Sequence, residues 1–489
     1  MKNKNPSIKT NYIYNLLYQV LAMVVILITT PYITRVLGAN NLGIYSYTYS
    51  IVTYFILFGS LGIGMYGQRE IAYVKDDINK KSLAFFELFY VKMVFIILSS
   101  ILFYLFYCIG SKYNLYYRIL LIELFFNIFD ILWFYQGIEN FKKVVIRNSI
   151  IKLVSMALIF LMIKKSEDIW LYFILCSFSN IIGNLSFFIN LKKEVNIKYW
   201  NKINVFVAIK KHLKKILVLF IPQISMQIYT ALDKVMIGVI TSNMNYVSYY
   251  DQAQKIVKLA LMILTAYGTI IYSKMSFAFA KEKKDELNEC VDKAFDFIWF
   301  FSMPIMFGII GISSKFVPWY FGDEFLPVIK IMCYFSPIIL IVGVSNVIYT
   351  QYMISTKKEK QFSNAIILGS IVNFFGNLIL INAFGTIGAV MASVIAEFVI
   401  LSVEIYYCRK QILIFDNILD SFKYLIAGII MCISIIKFGS YMKGTIITTL
   451  IQIFIGALIY CICLIIMKEK NINYYISKVV RYKNEKIRN

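Results

Sequence analysis

Apolar runs of about twenty residues recur along almost the whole of this 489-residue sequence, separated by short connectors rich in lysine. Such a run lets an α-helix cross about 30 Å of hydrocarbon while satisfying its own backbone polar groups. Composition agrees, because 60% of the residues are hydrophobic and 16% charged, against roughly 45–50% and about 25% in soluble domains. The pattern predicts an all-α polytopic membrane protein of about fourteen spans: 11–34, 42–66, 84–109, 115–138, 144–163, 169–190, 216–239, 246–272, 293–312, 326–354, 361–381, 386–407, 421–441 and 445–467.

A net charge of +23 would point to nucleic acid in a soluble chain. Here it follows topology, since Lys and Arg resist translocation. With the N-terminus inside, the inner connectors hold 34 basic residues, and the outer ones hold 6: Arg35, Lys112, Lys164, Lys165, Lys315 and Lys443. Both termini are therefore expected in the cytoplasm, with the bilayer and not nucleic acid as partner. The run after Lys2, Lys4 and Lys9 is too long for a signal peptide and reads as a retained first span. Eight cysteines form no CxxC pair, and His212 is the sole histidine, so neither a metal nor a cofactor is expected. His212 lies in the basic connector 191–215 and reads as a solvated surface residue.

That connector separates a first lobe (1–190, spans one to six) from a second (216–407, spans seven to twelve). Two accessory spans (408–467) and a basic tail (468–489) follow. The lobes share a weak repeat: Leu37-Gly38 through Tyr45 and Ile51 resembles Ile237-Gly238 through Tyr249 and Ile256, and Gln136 with Asn148 resembles Gln351 with Asn364. Parallel six-span repeats suit alternating access. Trp200, Ile203 and Val207 in the linker, and Ile472, Tyr475, Ile476 and Val479 in the tail, have the spacing of interfacial basic helices. They serve either as anchors or as readers of anionic lipid.

Ionisable groups within the spans carry most information, because each costs at least about 2.5–3.5 kcal/mol at mid-bilayer. Glu123, Asn127 and Asp130 fall on one helical face of span four; Asn148, Lys152 and Ser155 do so in span five. Span seven has Gln223, Gln227 and Lys234, span eight Asp251, Lys255 and Lys258, span eleven Ser370, Asn373 and Asn377, and span twelve Ser393, Glu397 and Glu404. Lys92, Asp130 and Lys152 each lie about 12 Å from the inner end of their spans, where they can neutralise one another. Asp233–Lys234 and Asp251–Lys255 share a depth near the outer end. Structural ion pairs and interhelical amide bonds would account for the same residues without transport. Gly59, Gly62, Gly64 and Gly67 lack the flanks of a phosphate loop and read as close packing or a hinge.

Three segments resemble the Wzx-type oligosaccharide flippases. They are Thr30-Pro31-Tyr32-Ile33-Thr34-Arg35-Val36-Leu37-Gly38, the stretch Asp130 to Lys142 (D-x-x-W-F-x-x-G-x-E-x-F around Trp133, Phe134, Gly137, Glu139 and Phe141), and Leu232-Asp233-Lys234 through Gly238 with Tyr249-Tyr250-Asp251. Asn346-Val347 with Gln351, and Gly388-Ala389 with Ala396-Glu397, extend the likeness over almost the full chain. The resemblance implies the multidrug/oligosaccharidyl-lipid/polysaccharide exporter fold, two six-helix lobes in a V, in a bacterial plasma membrane. It also implies undecaprenyl-pyrophosphate-linked repeat units as substrate, a proton or sodium gradient as drive, and a polysaccharide polymerase and chain-length regulator as partners. The chain departs from the family pattern at Ile271-Tyr272-Ser273-Lys274, where a proline and a local helix break are expected.

A pyrophosphate needs cations while its sugar crosses a wet cavity. Lys92, Arg147 and Lys152, with Arg35 and Arg118, are the candidates for that role. Asp130, Glu123, Asp233, Asp251 and Glu397 are candidates for ion coupling or for holding those cations; Lys234, Lys255, Asn373, Asn377, Gln223 and Gln227 are the polar and pairing groups. A drug exporter of the same fold would want an acid-rich cavity. A membrane polymerase or glycosyltransferase would want a catalytic loop or a D-x-D site, and Asp76-Asp77 is the nearest pair.

Overall fold

The computed structural model describes residues 8–356, 358–409 and 421–469, without the side chains of 8–16, 141–143, 219, 221–230, 266, 269, 270, 273 and 359. The expected tail helix lies outside these residues apart from Lys468 and Glu469, as do the side chains of Gln223 and Gln227. Among the described residues every regular element is helical. Eleven segments there are long and apolar enough to span a membrane. One of them, Leu17–Val74, contains the first two expected spans, and two further helices described below cover the seventh and eighth. The protein is a multi-pass membrane protein.

In α1 (Ile8–Ser60) the helix is broken at Gly38, whose φ of 75° and ψ of 172° only glycine adopts without a steric penalty. A second turn at Leu61 and Gly62 leads into α2 (Ile63–Val74). Asp77 caps α3 (Ile78–Phe103) by accepting from the N–H groups of Asn79 and Lys80. A π-turn, Tyr104–Cys108, ends it. Span four is not one helix: α4 (Asn114–Phe126) passes through a 3-10 turn, Asn127–Phe129, to the short α5 (Leu132–Gly137). α6 (Phe141–Met162) and α7 (Ile169–Ser186) follow.

The connector 191–215 is less open than its charge suggests. In its 3-10 turn, Ile197–Lys202, Trp200 packs on Phe86, Phe89 and Tyr90. Asn204 then caps α8 (Val205–Thr241), so the end of the expected linker is already helix. α9 (Met244–Ala280) runs unbroken through Tyr272 and Lys274. The remaining helices are α10 (Lys284–Tyr320), α11 (Val328–Phe335), α12 (Pro337–Asn346) with a π-turn Val347–Met353, α13 (Glu359–Phe384), α14 (Thr386–Cys408), α15 (Phe422–Ser440) and α16 (Ile446–Ile466).

The chain forms two compact units, Met1–Ser248 and Tyr249–Asn489. In the first, α1 packs on α3, α4, α6 and α8, and α8 also lies against α2 and α3. In the second, α13 and α14 form an extensively packed hairpin, and α10 packs on α15 and α16.

Candidate functional site

The helix break in span four creates the principal site. Asp130 is extended (ψ 97°), and its Oδ1 accepts from the N–H of Leu132 at 3.1 Å, a local turn that starts α5. Lys92 on α3 fills the gap. Its ammonium donates to the Asp130 carbonyl at 2.8 Å and lies 3.7 Å from Oδ2. Lys92 is 2% exposed, whereas the Asp130 side chain is 36% exposed. Irregular backbone at membrane depth is tolerated where it is covered by protein or lines a wet cavity; here Lys92 covers the Asp130 carbonyl while the carboxylate stays partly exposed.

The break also separates the residues expected on one face of span four. Glu123, still on α4, is buried and accepts from Ser177 at 2.7 Å, Asn180 at 2.7 Å and Tyr49 at 3.3 Å. Asn127 accepts from Ser60. Only Asp130 meets a cation.

Arg147, near the start of α6, lies within electrostatic range of Asp130, Tyr135 and Tyr18. Its guanidinium donates to Asn148 and covers the Phe187 ring at 3.2 Å from the centroid. Nη1 is buried without a hydrogen-bond partner among the described residues. Beside it is a cavity of about 170 Å³ lined by Tyr135, Val144, Ser186, Phe187, Ile189 and Asn190. Lys152 lies about 7.5 Å further along the helix, with its ammonium over the Tyr18 ring at 5.7 Å. Its pairing with Asp130, considered from depth alone, is not what forms: Lys92 occupies that carboxylate. The structure thus gathers Lys92, Asp130 and Arg147, with Lys152 linked through Tyr18.

Arg35 and Arg118 stand elsewhere. Tyr32, one turn before Arg35, donates to the carbonyl of Ile163, at the opposite end of α6 from Arg147. Arg35 itself is exposed and donates to the Pro31 carbonyl. Arg118 is exposed at the start of α4, about 18 Å along the span from Asp130.

The stretch around Trp133 is explained by packing. Trp133 is 2% exposed and stacks on Phe85. A Cβ at Gly67 would meet its ring at 2.5 Å, so only glycine lets α2 approach. A Cβ at Gly137 would likewise meet Ile71 at 2.8 Å and the Gln68 carbonyl at 2.9 Å. Glu139, past the end of α5, accepts from Lys75 at 2.9 Å and holds that ammonium's pKa above its ordinary value. These contacts fix α5, and with it Asp130, against α2 and α3.

In α8, Asp233 is buried and Lys234 half-buried. In the second unit, buried Asp251 pairs with Lys255 at 2.8 Å one turn along α9. Asn373 donates to Ser393 at 3.5 Å, Asn377 donates to Asn373 at 3.2 Å, and the Tyr250 hydroxyl is 3.3 Å from Ser393. Glu397 is half-buried and Glu404 fully buried on α14.

His212 requires a correction. It is 2% exposed, not solvated, and both ring nitrogens have partners on other helices. The available sequence signal was spacing: Ala208, His212, Ile216 and Phe220 recur every fourth residue, and all four are buried.

Comparison with known proteins agrees with this architecture. Residues 8–275 match the family model described as polysaccharide biosynthesis protein, and residues 178–456 match that of the lipid II flippase MurJ. A protein of Escherichia coli (strain K12) named "Putative O-antigen transporter" is 22% identical over 84% of this chain and 99% of its own length. Among solved structures, the lipid II flippase MurJ in an inward closed conformation superposes with a TM-score of 0.73 at 19% identity, covering 94% of this chain and all of that one. An inward-facing multidrug resistance MATE family transporter of the MOP superfamily gives 0.62 at 12% identity, over 81% and 93% of the two chains.

Proposed function

The chain belongs to the polysaccharide biosynthesis protein family, and on that premise we propose that it is a Wzx-type flippase for undecaprenyl-pyrophosphate-linked oligosaccharide repeat units. It moves them from the inner to the outer leaflet of a bacterial plasma membrane by alternating access, with both termini cytoplasmic and no covalent chemistry. The observation that carries this reading is the Arg147 guanidinium, which keeps one nitrogen without an acceptor beside a small cavity and within range of the Lys92–Asp130 pair. A buried donor without a partner is rare in native structures, and a phosphate oxygen is a suitable acceptor for it.

In this reading Arg147 and Lys152 receive the pyrophosphate, and Lys92 adds charge from behind them. Arg35 and Arg118 lie too far along the spans for the same contact and would meet the headgroup at other stages of its passage. A proton or sodium ion supplies the drive, with Glu123, Asp233, Asp251 and Glu397 as the carboxylates to test. A polysaccharide polymerase and a chain-length regulator receive the product.

The test is flipping in proteoliposomes. A polyprenyl-pyrophosphate-linked oligosaccharide is supplied, and an outside-only glycosidase scores sidedness. Gradient-dependent transfer by the wild type, lost in Arg147→Gln and Lys152→Ala, supports the proposal. Normal transfer by Lys152→Ala removes that residue from the site. No transfer by folded wild type with several headgroups defeats the lipid-linked substrate.

A further inference from the structure

We infer that Tyr66, His212 and Glu87 form a proton-binding site whose occupancy sets how firmly α8 is held against α2 and α3. His212 Nδ1 lies 2.8 Å from the Tyr66 hydroxyl on α2, and Nε2 lies 2.9 Å from Glu87 Oε2 on α3. Lys211 donates to the same carboxylate oxygen at 2.7 Å. Tyr66, His212 and Glu87 are 0%, 2% and 9% exposed. The other charged groups around the ring are on α2: the Arg69 guanidinium is 5.7 Å from the Tyr66 centroid, and the Glu70 carboxylate is within reach of the Tyr66 hydroxyl.

This arrangement accommodates two protonation states without leaving a ring nitrogen unpaired. With a neutral ring, Nε2–H donates to Glu87 and the Tyr66 hydroxyl donates to Nδ1. With an imidazolium, both nitrogens donate, and the Tyr66 proton turns to Glu70. A histidine serving only as a cross-link needs one of these states. Histidine is also the side chain whose charge ordinarily changes between about pH 5 and 8.

Loading the proton adds a positive charge to the donor side of the His212–Glu87 bond, turning a hydrogen bond to a carboxylate into an ion pair between α8 and α3. It also brings Glu70 into the network through Tyr66. Unloading leaves Lys211 as the charged link. Low pH therefore tightens the hold on α8, and high pH relaxes it. On the transport reading above, on which this last step rests, the hold gates the cycle.

The sole histidine makes a direct test practical. Full-length protein labelled with 15N-histidine, carrying no histidine tag and placed in lipid nanodiscs, is titrated between about pH 5 and 8. Both ring nitrogens are expected to pass from a neutral tautomer to imidazolium. In Glu87→Gln the transition moves to lower pH, because the carboxylate that favours the cation is gone. Protection of the amides of residues 205–218, taken relative to the unstructured rate at each pH, should be about fivefold greater at the low-pH end, and this difference should vanish in His212→Gln.

A ring fixed in one state throughout, or protection indifferent to pH, overturns the inference. Glu87→Gln and Tyr66→Phe provide the same readouts where His212→Gln does not fold. Neither readout needs transport, so a failed flipping assay would count against the proposed function and leave this site to be decided by itself. Where flipping is observed, a His212→Gln protein with the pH profile of the wild type overturns the gating step.

Discussion

In the first unit several deeply buried polar groups are ionisable and reach across helices. Lys92 on α3 holds Asp130 at the break after α4, Glu87 on α3 meets His212 and Lys211 on α8, and Glu123 on α4 gathers donors from α1 and α7. Lys81 and Lys92, the buried lysines among the described residues, are both in this unit. In the second unit the corresponding network is made of neutral groups, Tyr250, Ser393, Asn373 and Asn377. Its buried ion pair, Asp251–Lys255, stays within one helix. Glu404, fully buried on α14, and Glu469, which accepts from Tyr424 at 2.9 Å, are the exceptions.

Amides are enough to join helices in a membrane, at about 0.6 kcal/mol per contact, while each embedded charge costs at least about 2.5 kcal/mol. The first unit thus carries charge beyond what adhesion requires. The surplus is basic where a phosphate would enter and acid–base where α8 is gripped.

Mutations can break this contrast. Lys92→Met should have the largest effect, cutting flipping at least about 100-fold in proteoliposomes, because it removes the cation that holds the carbonyl and carboxylate of Asp130 at the helix break. Lys92→Arg should recover part of the loss. Next, Arg147→Lys should lower flipping by about tenfold, since an ammonium cannot reproduce the guanidinium fork. Glu123→Ala strands three donors and should destabilise the protein by about 2–4 kcal/mol in thermal unfolding, with Glu123→Gln costing less than half of that.

Asn373→Ala, on the neutral side of the comparison, should cost only about 0.6 kcal/mol. A cost equal to that of Glu123→Ala would erase the distinction between the units. Smallest of all is a pH effect at the α3 cap. The N–H groups of Lys80 and Asn79 hold the Asp77 carboxyl below its ordinary pKa. The cap therefore contributes fully above the ordinary carboxylate value and is lost as pH falls through the depressed one. Protection of the Asn79 and Lys80 amides, relative to the unstructured rate at each pH, should fall in that acid range, and Asp77→Ala should abolish the change.

Much of this fold was legible because lipid enforces a simple rule. Every described span had to satisfy its own backbone, so length and apolarity were enough to locate the spans, though not their interruptions. Depth alone put Lys92 and Lys152 at the level of Asp130 without choosing between them, and the structure pairs Asp130 with Lys92. The helix break itself was not legible, because Asn127 and Asp130 fit a helical stripe as well as they fit a turn, and what decides is Lys92 arriving from another helix. His212 was misread for a related reason. Its neighbours in sequence are lysines, but its neighbours in space are Tyr66 and Glu87, each more than a hundred residues away. The lobe repeat pairs Gly38 with Gly238, yet Gly38 is a left-handed break, whereas Gly238 lies within α8 under the Tyr47 ring.

The interrupted helix at Asp130 also has an electrical consequence. Where water reaches about 12 Å into the bilayer, little of the transmembrane voltage falls across that depth, and most of it is dropped over the thinner dielectric beyond. A pyrophosphate held beside Arg147 would have spent almost none of the potential on arrival. Its onward movement from a negative interior would then be favoured by about 2.3 kcal/mol per charge for each 100 mV, and on the proposed function the break would set the stage of transport at which the membrane voltage acts.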